Sequence, residues 1–113
     1  MKLNILDIGG KVVKDDDKYV VKDNSMLNNL VISSTDLKPG KSTSGHSHAG
    51  QEEVYHFVRG SGMMKVDDDI FPVEEGDVIL IEDGKFHQVI NNSEITVTLY
   101  VCLTALGIIK FYN

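Results

Sequence analysis

Cysteine is almost missing from this chain. Cys102 is the only one among 113 residues, which excludes an intramolecular disulfide and makes the cytoplasm the expected compartment. Its setting in the apolar run Ile95–Leu103 predicts a buried, inert thiol. Long hydrophobic stretches are missing as well. None approaches the roughly 20 residues of a membrane-spanning helix, and Met1-Lys2-Leu3-Asn4-Ile5 lacks the apolar core of a secretory signal. Clustered positive charge is the third absence. Seventeen acidic side chains against eleven basic ones leave a net charge of −6, with the lysines scattered and Arg59 the sole arginine. Nucleic acid and anionic membranes are therefore excluded as natural partners. Arg59 sits beside Gly60, a position that suits a strand end better than an anion contact. Internal repeats, linkers and low-complexity tracts are also absent, so one domain over residues 1–113 is expected.

What remains is a run of short apolar, β-branched segments separated by Gly, Asp and Asn turns. Leu3–Ile8 ends at Gly9-Gly10, and Tyr19-Val20-Val21 precedes a polar connection. Asn29–Thr35 stops before Pro39-Gly40, and strands are expected around His46 and from Glu53. Met63–Val66 and Ile70–Val73 flank an Asp67-Asp68-Asp69 turn. Val78–Ile81 has the composition of a fully buried strand; Phe86–Ile90 and a long strand from Ile95 complete the series. Strands at such short, regular intervals predict an all-β fold, a small antiparallel barrel or sandwich. The aspartate runs at 15–17 and 67–69 lack the alternating order and distal glutamate of a calcium loop, and read as solvated turns.

The chemistry concentrates between Gly40 and Asn91. Five residues separate Gly40 from His46; one separates His46 from His48; four more lead to Glu53 and six to Gly60. Further on, Gly84 is followed after two residues by His87 and after three more by Asn91. On a strand, residues two apart share a face, so His46 and His48 aim the same way. Glu53 is in phase with Tyr55 and Phe57, whereas Glu52 and His56 fall on the opposite face. His87 arrives from a distant segment to close the set. Three imidazoles and a carboxylate suit one divalent transition ion (Fe, Mn, Ni, Co, Zn or Cu) rather than calcium or magnesium. Four protein ligands on a six-coordinate ion leave open positions for a substrate.

These two segments resemble the paired motifs of the cupin superfamily. Gly40, His46, His48, Glu53 and Gly60 match every fixed position of the first motif, and Gly76, Gly84, His87 and Asn91 match the second. Glu82 stands where the family usually has proline. The resemblance covers about half the chain. It implies a double-stranded β-helix, or jelly roll, with His46, His48, Glu53 and His87 as metal ligands. It also implies a homodimer, with the N-terminal strand and the tail at 108–112 capping the barrel or pairing with a second copy. For the reaction it is a poor guide, since the same fold carries many chemistries.

Candidate substrate-binding residues are Tyr55, Phe57 and Asn91. Tyr55 and Phe57 read equally as pocket walls or as core, and Asn91 as a ligand contact or a turn cap. The functional expectation is a metal-dependent enzyme acting on a small polar molecule that chelates the ion through two oxygens, in the manner of a sugar isomerase, epimerase or lyase. An Fe(II)-dependent dioxygenase and a non-catalytic, metal-anchored binding module are the alternatives. No catalytic acid or base is legible in the sequence.

Overall fold

The computed structural model describes residues 1–47 and 49–105. Nine strands run through them: β1 Lys11–Asp15, β2 Tyr19–Asn24, β3 Leu30–Leu37, β4 Glu53–Arg59, β5 Ser61–Val66, β6 Asp69–Glu74, β7 Val78–Ile81, β8 His87–Ile90 and β9 Val97–Thr104. They form two antiparallel sheets of a jelly roll, a six-stranded one in the order β1-β2-β3-β9-β4-β7 and a three-stranded one in the order β6-β5-β8.

Period-two patterning decides which residues turn inward. In β4, Glu53, Tyr55 and Phe57 are buried while Val54 and His56 are exposed, and β2 buries Tyr19, Val21 and Asp23. The core lies between the two sheets. Leu37, Phe57, Val97 and Leu99 enter from the larger one, Met64, Val73 and Val89 from the smaller. Each large side chain buried in this way stabilises the fold by about 1.5–3 kcal/mol. The smaller sheet is widened by the irregular segment before β4. Residues 42 and 46 bridge to Ile90 and His87, and Val89 N donates to Thr43 Oγ1 at 3.0 Å.

Four expectations change. Residues 3–8 do not form a strand: Leu6 N donates to Asn4 Oδ1 at 2.8 Å and Gly9 N to Asp7 Oδ1 at 2.9 Å. Two polar side chains thus satisfy the backbone locally and favour turns over a ladder. β7 is not fully buried, because as an edge strand it leaves Val78 and Leu80 53% and 71% exposed. Cys102 is exposed rather than buried; it occupies the outward phase of β9, between inward-facing Val101 and Leu103. His46 belongs to no regular strand; an isolated bridge pairs it with His87. The tail at 108–112 lies outside the described residues.

Two glycines show what the corners require. Gly60 joins β4 to β5 at φ +81°, and a Cβ there would stand 2.9 Å from the Thr96 carbonyl oxygen. Gly45 has φ +72°, and a Cβ would meet the Phe86 ring at 2.6 Å. The first lets two sheets turn over a backbone. The second lets the His46 segment lie against the residue before His87.

Candidate metal centre

His46 and His87 are brought together by their own backbones. His46 N donates to His87 O at 3.1 Å and His87 N to His46 O at 2.9 Å, a pair that exchanges both hydrogen bonds and sends its side chains to one face. The imidazole centroids are 4.5 Å apart with planes at 80°. Glu53, the first residue of β4, enters beside them from the larger sheet. One ligand atom from each of His46, Glu53 and His87 lies within 4.8 Å of the others, and both Glu53 and His87 are buried. Glu52, the neighbouring carboxylate, faces outward and is exposed.

The turn before β8 forms without proline. Lys85 N donates to Glu82 O at 3.2 Å, and Gly84 takes the positive φ of 78° that such a turn asks of its third residue. Two further contacts fix the approach to His87. Asp83 Oδ1 accepts from Gly50 N at 2.6 Å, tying the loop ahead of Glu53 to this turn. Asp67 accepts from Phe86 N at 3.0 Å through Oδ1, and Asp67 N donates to Phe86 O at 2.9 Å. The aspartate that reads as a solvated turn in the sequence is a clamp on the residue preceding a ligand.

The His87 ring is oriented by its Nδ1, which donates to Lys85 O at 2.9 Å and so leaves the Nε2 lone pair facing inward. That Nε2 lies 2.7 Å from Glu53 Oε2. In the neutral ring both atoms are acceptors, and the buried Nε2 has no hydrogen-bond partner. Two buried lone-pair atoms at that separation need a cation between or beside them, and either a proton or a metal ion answers. Burial pushes the His87 imidazole down, but the Glu53 carboxylate and the Lys85 carbonyl oppose it and raise it above its ordinary value. Nitrogen and carboxylate oxygen are the donors that borderline transition ions prefer. The residues fit such an ion.

The site opens into a cavity of about 220 Å³ between the sheets. His46, Glu53 and Tyr55 line it, together with Val21, Val89, Leu99, Val101 and Leu103. Tyr55 also packs edge-on against His87, with centroids 5.5 Å apart. Phe57 is fully buried in the core and does not line the cavity, which corrects its reading as a substrate contact. Asn91 takes the turn-cap alternative. Its amide donates to Leu37 O and Ile95 O at 3.0 and 2.8 Å, and its Oδ1 accepts from Ser93 N and Oγ. The polar atoms of that side chain are spent on the turn after β8 and on the end of β3. His48 lies outside the described residues.

Sequence reasoning missed Lys14, Tyr19 and Ser44, which line the same cavity. Only the inward phase of Tyr19 with Val21 was available as a signal, and that pattern fits ordinary core equally well.

The model of the cupin domain matches residues 33–103 of the chain, which takes in all of these ligands. The chain belongs to the cupin family. Among curated proteins this cupin is similar to an uncharacterized protein of Methanocaldococcus jannaschii, 27% identical over an alignment of 95 residues that covers 74% of this chain and 76% of the relative. It is also similar to the oxalate-binding protein of Thermotoga maritima, 33% identical over 55 residues, 49% of this chain and 46% of that protein. Among solved structures, a predicted oxalate decarboxylase of Thermotoga maritima superposes with a TM-score of 0.73 at 19% identity, covering 92% of this chain and 98% of that one. At that identity the likeness speaks for the fold alone.

Proposed function

We propose that this cupin is a metal-dependent enzyme acting on a small polar molecule that presents two oxygens to the ion, such as a carboxylate with an adjacent carbonyl or hydroxyl. The observation that carries the reading is the convergence of His46, Glu53 and His87 beside a small cavity that His46 and Glu53 line. A bound divalent ion supplies positive charge that orients two oxygens and stabilises negative charge growing on them. The remaining work falls to the chain. Tyr55 buttresses the His87 ring, and five aliphatic side chains give the cavity a largely apolar lining. Among the described residues that line the cavity, Lys14 is the only lysine or arginine. One ammonium suits a single carboxylate; a phosphate ester asks for a cluster of basic groups, which argues against sugar phosphates.

A second reading, a binding module without turnover, draws support from the name of the oxalate-binding relative. An Fe(II)-dependent dioxygenase is a third outcome of the same test. The proposal also takes the protein to be a cytoplasmic homodimer. The solitary cysteine supports the compartment, and the apolar outer face of the larger sheet supports the dimer.

The first measurement is metal content and affinity. Wild-type protein is expected to take up one transition ion per chain. Glu53→Gln should lose at least ten-fold in affinity, on the scale set by removing a charged ligand (about 1.4 kcal/mol per ten-fold), while Glu52→Gln binds as wild type. The reverse order, or no uptake at all, sinks the metal reading. Oxalate, pyruvate and glycolate are then offered to the loaded protein. Product formation without oxygen supports the proposal, Fe(II)-dependent oxygen uptake the dioxygenase, and calorimetric binding without any product the binding module.

A further inference from the structure

The sequence offers no acid or base for this chemistry, yet the cavity that the metal ligands line carries one. Tyr19, at the start of β2, is 7% exposed and lines the cavity. Its phenolic oxygen is the meeting point of three groups. Lys14 Nζ donates to it at 2.9 Å from β1. Ser44 Oγ lies 3.1 Å away, and Ser44 N donates at 3.4 Å from the segment that leads to His46. An ammonium, a backbone amide and a hydroxyl aimed at one oxygen form a cradle for an anion. With Ser44 Oγ as a donor, the phenolic oxygen needs no proton of its own.

We propose that Tyr19 is the proton-transferring residue of the cavity, with Lys14 and Ser44 as positioning residues that hold its oxygen ready as a phenolate. The inference deepens the metal-dependent reading above and rests on it. Tyr19 lines the same small cavity as His46 and Glu53 and is tied through Ser44 to the segment that carries His46, so a molecule held at the ligands shares its space with the phenolic oxygen. The phenolate oxygen takes a proton from the carbon next to the substrate carbonyl. The C–H electron pair becomes a carbon–carbon double bond, and the negative charge moves to the carbonyl oxygen. Return of the proton to a neighbouring atom restores the phenolate, and no oxidant or reductant is consumed.

The surroundings agree with this assignment. Burial pushes the Tyr19 hydroxyl up, but the Lys14 and Ser44 contacts outweigh it and leave the group below the ordinary phenol value. Lys14 itself is raised, chiefly by its bond to Tyr19, so it stays charged where the phenolate forms. The other charged groups nearby do not compete. Asp16 accepts from the Tyr19 backbone at 3.0 Å and stands 3.9 Å from Lys14 Nζ. Lys38 Nζ is engaged with Asp16 O at 2.8 Å. β3 places apolar Leu37 opposite Tyr19, and His46 and Glu53 line the same cavity.

The chain has four tyrosines and no tryptophan, so tyrosinate absorbance can be titrated cleanly on the full-length, metal-free protein. One tyrosine is expected to ionise ahead of the rest. That step should vanish in Tyr19→Phe and move to higher pH in Lys14→Gln, with thermal melts confirming that both variants fold. On Mn²⁺-loaded protein, deuterium uptake from solvent into pyruvate and hydroxypyruvate is the second readout. Tyr19→Phe should slow exchange by about 100-fold or more, the scale of a lost acid–base group, at unchanged Mn²⁺ content. Lys14→Gln should shift the pH profile upward. A single merged tyrosine titration overturns the proposal, as does exchange indifferent to Tyr19→Phe or absent from the wild type with both probes. Wild-type protein that takes up no Mn²⁺ overturns the metal reading and the catalytic role with it. That failure is told apart by the tyrosinate step, which does not need the ion.

Discussion

His87 and Glu53 share a proton or a metal ion, and the competition has a definite sign. The His87 imidazole is raised above its ordinary value because, although burial disfavours its charge, Glu53 and the Lys85 carbonyl favour it more. In metal-free protein the ion pair therefore contributes stability that is fully present below the unfolded imidazole value of roughly 6.5. That stability is lost as pH rises through the higher folded value. Metal uptake requires the neutral ring and must release the proton. Affinity for Zn²⁺ is thus expected to weaken already above the usual imidazole range as pH falls. Calorimetry in buffers of different ionisation enthalpy should show proton release in that window, and Glu53→Gln should move the window downward. Proton-free binding across the whole range would contradict the assigned pair. At this scale the sequence was informative wherever spacing alone decides orientation. Glu53 inward and Glu52 outward follow from period two. Phe57 shares that phase but is too deep to touch the cavity, and depth is not encoded in alternation. Asn91 was open between a ligand contact and a turn cap; Ile95 O is a local turn partner, but Leu37 O comes from a chain position that only folding brings near.

The hairpin of β5 and β6 does more than close an edge. Val66 pairs with Asp69, leaving Asp67-Asp68 as a two-residue loop in which Asp67 takes a φ of 51°, as primed hairpin turns require. From that strained position Asp67 grips Phe86 through both its backbone N–H and its carboxylate, and Phe86 immediately precedes His87. Asp67→Ala removes the carboxylate acceptor and puts a residue less tolerant of positive φ in the turn. A loss of about 1–2 kcal/mol is expected by urea denaturation. Asp67→Asn keeps an acceptor and tolerates the angle, so it should cost less than half as much. Equal losses for both would mean that the clamp contributes nothing. Elements were legible where turn chemistry and β-branched runs coincide, as in β3, β5, β6 and β9. They were not legible where side chains compete with the ladder. Asn4 and Asp7 turn an apolar hexamer into turns, and the His46 segment pairs with β8 by isolated bridges that leave no periodic trace. Tyr19 belongs with these: its partners Lys14 and Ser44 lie 5 and 25 residues away, a distance no local pattern reports.

For the whole molecule, the two faces of the six-stranded sheet have opposite tasks. The inner face holds the cavity and the core. The outer face carries Val54, Val78 and Leu80, all exposed, on β4 and the edge strand β7, beside a groove formed by Leu3, Ile5, Ile32 and Cys102. An apolar face along a sheet edge is a liability unless something covers it. A second copy of the same chain is the occupant we propose, because a two-fold contact uses each of these side chains twice and seals both edges at once. Removing this apolar area from water favours association, and the two-fold arrangement doubles it. Leu80 pairs with Val54 on the outward phase, whereas the adjacent pair, Ile81 and Glu53, points inward. Leu80→Asp therefore tests assembly without touching the ligands. Sedimentation equilibrium should find wild-type protein dimeric at micromolar concentration and Leu80→Asp monomeric, with equal Zn²⁺ content in the two. A wild-type monomer at that concentration rejects the dimer. A Leu80→Asp protein that stays dimeric moves the interface to another face, and one that loses its metal with its partner shows that the centre depends on the second copy.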